Sequence, residues 1–397
     1  MTGPFSITRL PQIVFGPGTI AQVPALAASF GRRVLLVTGA RSFRESRHGV
    51  ALTEGLGTRG IEWQSLAVSG EPSPALVDGA VREHGPQGVE VVIGIGGGSA
   101  LDAAKAIAGL LRVGEPVKEF IEVVGAGRDY PGPPTPFIAV PTTAGTGSEA
   151  AKNAVMSEVG PGGFKRSFRH DDLVARVAVV DPDLLETCPR PLIAADGMDA
   201  LTQLLEAYVS PRASAFTDAL AESGLVAARD GLLRWYEGTG DAAPARERMA
   251  YAALLSGITL AQAGLGAVHG LSAPLGGLFP IPHGVVCGTL VADATRINVA
   301  ALRARAPGDL ALTKLARAWA ILADPPGAGP PPADAPERLA TLLADWSRRL
   351  DLPRLGAYGI GEGDVARIVA GSRGGSMKTN PIVLEDEEIA AIVRARL

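Results

Sequence analysis

The chain has 397 residues, longer than one hydrophobic core usually serves, and its 47% hydrophobic and 20% charged content excludes a disordered polypeptide. Thirty-seven basic residues against 41 acidic ones give a net charge of -4, with no basic stripe to hold a nucleic-acid backbone. The N-terminus, "MTGPFSITRL", lacks a signal-peptide pattern and no uncharged apolar run of about 18 residues follows, so a cytoplasmic protein away from the membrane is expected.

In chain order, "RRVLLVTG" (32–39) reads as a buried strand, followed by the helix-like "VALTEGLGTRG". "IEWQSLAVSG" (61–70) is a second strand and "PALVDGAVREHG" a helix. "VEVVIGIGGGSALDAAKAIAGLL" (89–111) is a strand that stops at Gly94 and runs into a helix. Further strands start at Pro136 and cover "RVAVVDPDLL" (176–185). Strands alternating with helices predict a mostly parallel sheet in an α/β domain over 1–188.

From 189 to 397 apolar residues recur at three- and four-residue steps, predicting an all-α domain. Asp196 is the expected N-cap of its opening helix. "DPPGAGPPPADAPE" (324–337) is too proline-rich for a regular element and reads as an exposed loop.

Two small-residue loops follow strands in the first half. Gly96, Gly97 and Gly98 precede Ser99, which opens a helix; close backbone approach and free N–H groups at a helix start make a seat for phosphate. The same glycines also suit a turn required only by strand-to-helix packing. Asp102 and Lys105, one turn on, fit either ligand contacts or a solvated pair. "PTTAGTGSE" offers the hydroxyls of Thr142, Thr143, Thr146 and Ser148. Two such loops at the carboxyl ends of strands point to a nucleotide. Where an acidic residue would favour NAD, the end of the first strand carries Gly39, with Arg41 and Arg44 close behind; these arginines suit a 2′-phosphate, and equally a solvated surface.

Five histidines occur. His48 and His84 are expected in polar, helix-like surface surroundings and His170 follows a basic stretch, so none of the three makes a metal case. His269 closes a long apolar helix, and His283 follows a Gly/Pro-rich connection able to fold back. In "GMDALTQLLEAYVS", Asp199 and Gln203 share a helix face at i,i+4. One carboxylate, one amide oxygen and two imidazoles form a four-ligand set for a divalent cation. Cys188 and Cys287 are far apart and outside any C-x-x-C spacing, so neither a disulfide framework nor a thiolate zinc site is expected.

The stretches "FGPGT", "GGGSALDAAK", "PTTAGTGSE", "VVDPDL", "GMDALTQLLEAYVS", "HGLSAPLGG", "PHG" and "TNP" (379–381) resemble the iron-containing, or group III, alcohol dehydrogenase family over essentially the whole chain. That resemblance implies a dinucleotide-binding domain, a helical metal and substrate domain of the dehydroquinate-synthase-like architecture, a cleft between them, and a homodimer or larger assembly. It implies hydride transfer between NADP or NAD and a small alcohol or aldehyde, the substrate oxygen resting on iron or zinc. Asp199, His269 and His283 match three metal ligands with catalytic roles; Gln203 stands where a fourth histidine belongs, and Ala273 where many relatives carry another. Lys165 resembles a basic residue placed near the cofactor, and Gly39 a position whose lost acidity points to NADP. Three alternatives share parts of this pattern: a metal-independent reductase resembling maleylacetate reductases, a lyase of the dehydroquinate synthase branch, and a catalytically silent nucleotide-binding relative. The apolar "SAPLGGLFPIP" counts against the first and the scarcity of polar groups around the ion against the second.

Overall fold

A computed structural model describes residues 4–323 and 329–397, in two compact units. The α/β unit spans Thr8–Glu158 and Gly163–Cys188, while Pro189–Leu397, with residues 4–7 and Val159–Gly162, forms the helical unit.

Six parallel strands make the sheet of the α/β unit: β1 (Gln12–Phe15), β2 (Arg33–Gly39), β3 (Glu62–Val68), β4 (Val91–Gly96), β5 (Phe137–Pro141) and β8 (Val177–Val180), in the order β1-β8-β5-β4-β2-β3. A two-stranded antiparallel hairpin, β6 (Asn153–Glu158) and β7 (Phe164–Arg169), lies apart from it. The short β1 and this hairpin escape the sequence pattern, because four- and six-residue segments with mixed polarity carry little periodic signal. Strand β4 continues to Gly96 instead of stopping at Gly94.

Alternation along the strands divides the core. Val34 and Leu36 join α1 (Val23–Ala28) and α2 (Arg47–Thr58) on one face. Leu35 and Val37 join α3 (Pro74–His84) and α4 (Gly98–Leu110) on the other. Side chains of successive strand residues point to opposite faces, so a sheet covered by helices on both sides needs apolar residues at every position. Moving outward from β4, the chain places β2 and β3 on one side and β5, β8 and β1 on the other. The strand order therefore reverses between β2 and β4, the switch point where open α/β sheets bind ligands at their carboxyl ends. His84 is buried, not at the surface, and its Nδ1 lies 2.7 Å from Gln64 Oε1.

The helical unit is built round α5 (Arg190–Val209), which packs on α6 (Ala215–Glu237), α7 (Ala242–Ala263) and α9 (His283–Arg305). Helix α5 starts six residues before the expected cap: Pro189 precedes Arg190, Pro191 occupies the first turn, and Asp196 lies inside the helix. Proline suits a first turn, where an amide N–H has no helical partner. The predicted run up to His269 is two helices, not one. Helix α7 stops at Ala263, and α8 (Ala267–Leu278) leaves it at 98°, so His269 sits in the first turn of α8. The supposed Gly/Pro-rich connection is largely α8 itself, with Pro274 inside it.

Helices α10 (Leu310–Leu322), α11 (Ala335–Arg349), α12 (Val365–Ser372) and α13 (Asp386–Arg394) complete the unit. Of the proline-rich 324–337, residues 324–328 lie outside the described residues, and 335–337 open α11 with Pro336 in its first turn. Helix α9 is long and apolar enough to cross a membrane by length and composition, but 78% of its apolar window is buried in the protein.

Candidate metal centre and nucleotide loops

Three helices of the helical unit converge on Asp199. It occupies the middle of α5, a helix apolar on every side and therefore central to its unit, and its carboxylate is fully buried. Nε2 of His269 lies 3.1 Å from Asp199 Oδ1, and Nε2 of His283 lies 3.7 Å from the same oxygen. The two imidazole rings stand edge to face, centroids 5.4 Å apart. Close approach of α9 to α5 requires glycine: a Cβ at Gly284 would fall 2.6 Å from the Ala195 carbonyl oxygen, and one at Gly288 2.8 Å from Met198 Cβ.

A fourth donor joins them. Cys287 Sγ is buried, 3.6 Å from His269 Nε2 and 3.8 Å from His283 Nε2, and the ligand atoms of Asp199, His269, His283 and Cys287 all lie within 4.8 Å of one another. Cys287, which cysteine spacing left outside any expected metal site, therefore belongs to the candidate cluster. Its signal was present in the sequence: four residues after His283 on one helix, the two side chains share a face. Cys188 takes no part in this cluster. Gln203 follows Asp199 by one turn and its Oε1 accepts a hydrogen bond from Ser256 Oγ of α7 at 2.9 Å.

Glu206, unremarked in the sequence, is the second residue that tertiary structure adds. Its Oε2 lies 2.7 Å from His269 Nδ1 and its Oε1 accepts the Val268 backbone N–H at 2.7 Å. A carboxylate on Nδ1 fixes the proton there and turns Nε2 toward Asp199. The "TNP" stretch also finds its use: Thr379 Oγ1 donates to Leu265 O at 2.6 Å and Asn380 Oδ1 accepts from Ala267 N at 3.1 Å, pinning the bend that carries His269.

The cluster is strongly coupled electrically. Burial alone would push the Asp199 carboxyl up, but His283 and His269 outweigh it and hold it well below the ordinary carboxylate range. Burial favours a neutral His269; Cys287 and the carboxylates Asp199 and Glu206 override this and raise it well above its ordinary value. Burial, reinforced by Asp199, pushes the Cys287 thiol up to about 12. Oδ2 of Asp199 is buried with no hydrogen-bond partner, and such an acceptor is costly unless something binds it. Two imidazoles, a carboxylate and a thiol so disposed fit a divalent ion of borderline softness.

In the α/β unit the two small-residue loops meet. Gly97 is the N-cap of α4, and Thr142 N donates to Gly96 O at 2.9 Å. A Cβ on Gly97 would lie 3.2 Å from Thr143 Cγ2, and one on Gly98 2.6 Å from Thr146 Cγ2. Gly96 has φ +156°, which side-chain-bearing residues rarely adopt, and a Cβ there would also approach Gly39 N to 3.3 Å. So Gly39, Gly96, Gly97, Gly98, Ser99, Thr142, Thr143 and Thr146 gather at the ends of β2, β4 and β5.

The remaining three expected cofactor residues make internal bonds. Asp102 accepts from Ser148 Oγ and from Val155 N, and Lys105 donates to the carbonyls of Ser148, Ala151 and Asn153. Asp102 and Lys105 are both buried, which rules out the solvated pair. Burial lowers the Lys105 ammonium to about 8 and raises Asp102, each partly offset by the other. Lys165 is buried on β7 and paired with Glu71.

A doubly wound parallel sheet with a phosphate-type loop, in one chain with a helical unit holding an Asp–His–His–Cys cluster, defines an α/β plus all-α protein with a candidate metal centre. Two family models divide the chain between them: iron-containing alcohol dehydrogenase over residues 11–182, and the C-terminal part of the iron-containing alcohol dehydrogenase family over 193–397. The chain belongs to the iron-containing alcohol dehydrogenase family.

Among relatives, 1-propanol dehydrogenase PduQ of Salmonella typhimurium is 40% identical over 54% of this chain, a match that spans only 53% of that relative's length. The NAD-dependent methanol dehydrogenase of Bacillus methanolicus is 28% identical over 98% of both chains. The crystal structure of a 1,3-propanediol oxidoreductase superposes with a TM-score of 0.88 and 28% identity, covering 100% of each chain.

Proposed function

We propose that this protein transfers hydride between NADP or NAD and a small alcohol–aldehyde or alcohol–ketone pair, assisted by a divalent ion at Asp199, His269 and His283. The observation that carries this reading is the convergence of the two imidazoles, from α8 and α9, on one buried carboxylate oxygen of Asp199 in α5. A bound ion would supply Lewis acidity toward a substrate oxygen.

The chain's own residues do the rest. Asp199 contributes the negative charge of the set, and Glu206 presents the lone pair of His269 Nε2 by holding Nδ1–H. Backbone N–H groups at Gly98 and Ser99 carry the positive end of the α4 dipole toward a phosphate, and the hydroxyls of Thr142, Thr143 and Thr146 add donors beside it. Asp102, Ser148 and Lys105 fix the shape of that loop from beneath. Ala273, one turn after His269, offers no proton carrier, so no side chain at that position moves a proton.

The test is to strip the purified protein with a chelator, add back Fe²⁺, Zn²⁺ or Mn²⁺, and follow NADPH and NADH oxidation with short aldehydes and ketones. Activity should return with metal and be higher with NADPH; equal rates with and without metal reject the reading. Glu206→Gln should keep the fold but weaken metal affinity by roughly 10- to 100-fold, because His269 loses its orienting anion. Competition against a chelating dye measures this, and an unchanged affinity would remove Glu206 from the site.

A further inference from the structure

We propose that Cys287, in place of Gln203, supplies the fourth metal ligand, making an Asp–His–His–Cys site that prefers zinc to harder cations. This rests on the metal reading above and names the ligand set on which that reading depends.

Geometry carries the assignment. Donor atoms around a tetrahedral zinc ion, at the usual Zn–S, Zn–N and Zn–O lengths, stand roughly 3.3–3.6 Å from one another. Here the separations are 3.1 Å for His269 to Asp199, 3.7 Å for His283 to Asp199, 3.6 Å for Cys287 to His269 and 3.8 Å for Cys287 to His283. Four of the six edges of a coordination tetrahedron are thus already near these lengths, all four donor atoms lie within 4.8 Å of one another, and a substrate oxygen would enter as a fifth ligand. The Asp199 oxygen that lacks a hydrogen-bond partner supports an ion in this cluster, since a buried acceptor so left is costly unless something binds it.

The competing donor is weaker and otherwise engaged. Gln203 Oε1 already accepts from Ser256 Oγ, and a neutral amide oxygen is a harder, poorer ligand for zinc than a sulfur anion. Metal entry releases the Cys287 thiol proton to solvent and leaves a thiolate on the ion. A thiolate beside two imidazoles shifts preference toward zinc or cobalt and away from magnesium or manganese.

The full chain, stripped and reloaded with Co²⁺, should show a sulfur-to-cobalt charge-transfer band in the near ultraviolet. Cys287→Ser should abolish that band and lower zinc affinity by more than the roughly 100-fold upper range of an orienting residue. Gln203→Ala should keep both the band and stoichiometric zinc. Cobalt bound by the wild-type chain without a sulfur band, a result that depends on no variant's folding, overturns the assignment and spares the metal reading. So does metal retained in Cys287→Ser and lost in Gln203→Ala. A wild-type chain that takes up no metal at all overturns both.

Discussion

Asp199→Asn should cost the protein its metal and lower kcat/KM for aldehyde reduction by at least ~10³-fold, equivalent to ~4 kcal/mol of transition-state stabilisation. Three features set that magnitude. Its Oδ1 lies within 4 Å of both imidazoles, its side chain is wholly buried, and its carboxyl is held well below the ordinary carboxylate range. Asparagine keeps the volume but withdraws the charge of the carboxylate that stands beside both imidazoles and the thiol. Elemental analysis and steady-state rates with NADPH measure the two effects together. A metal-free Asp199→Asn protein with wild-type kcat/KM would show that the cluster is not part of the chemistry.

Gly39→Asp should invert the coenzyme preference, lowering kcat/KM for NADPH by about 10²-fold, close to 3 kcal/mol, with little loss for NADH. Gly39 ends β2 at the point where strand order reverses, and a Cβ added there meets nothing within 4 Å, so the variant should fold normally. An acidic side chain at this place accepts hydrogen bonds from ribose hydroxyls and repels a 2′-phosphate. The Arg41 side chain forms an exposed ion pair with Glu45 at 3.7 Å, and such a pair is weak enough to be given up for a phosphate. Steady-state kinetics with both coenzymes decide the matter: an unchanged NADPH-to-NADH ratio would place Gly39 away from the ribose.

Much of this was legible without coordinates. The β-branched runs at 33–39 and 91–96, with small-residue turns after them, sufficed for a parallel sheet with small-residue loops at its strand ends, and Asp199 and His283 stood out as metal-ligand candidates by chemistry and motif. His269 joins the candidate cluster from the first turn of α8 and not from the close of one long helix, because Gly264 and Gly266 end α7 inside a run whose apolar period continues on both sides. Cys287 was set aside because spacing rules for cysteine look for a second cysteine, whereas its partner here is a histidine four residues earlier. Asp102, Ser148 and Lys165, expected at the cofactor, also make bonds within the protein that their motifs do not reveal.

The sequence by itself determined what depends on local order: which segments alternate or turn with helical period, where glycines permit a close approach, and which donors the chain possesses. Tertiary structure alone decided which donors meet. Glu206 orients His269 across 63 positions of sequence and Cys287 approaches it across 18, distances that no periodicity encodes, because they arise from how α5, α8 and α9 pack.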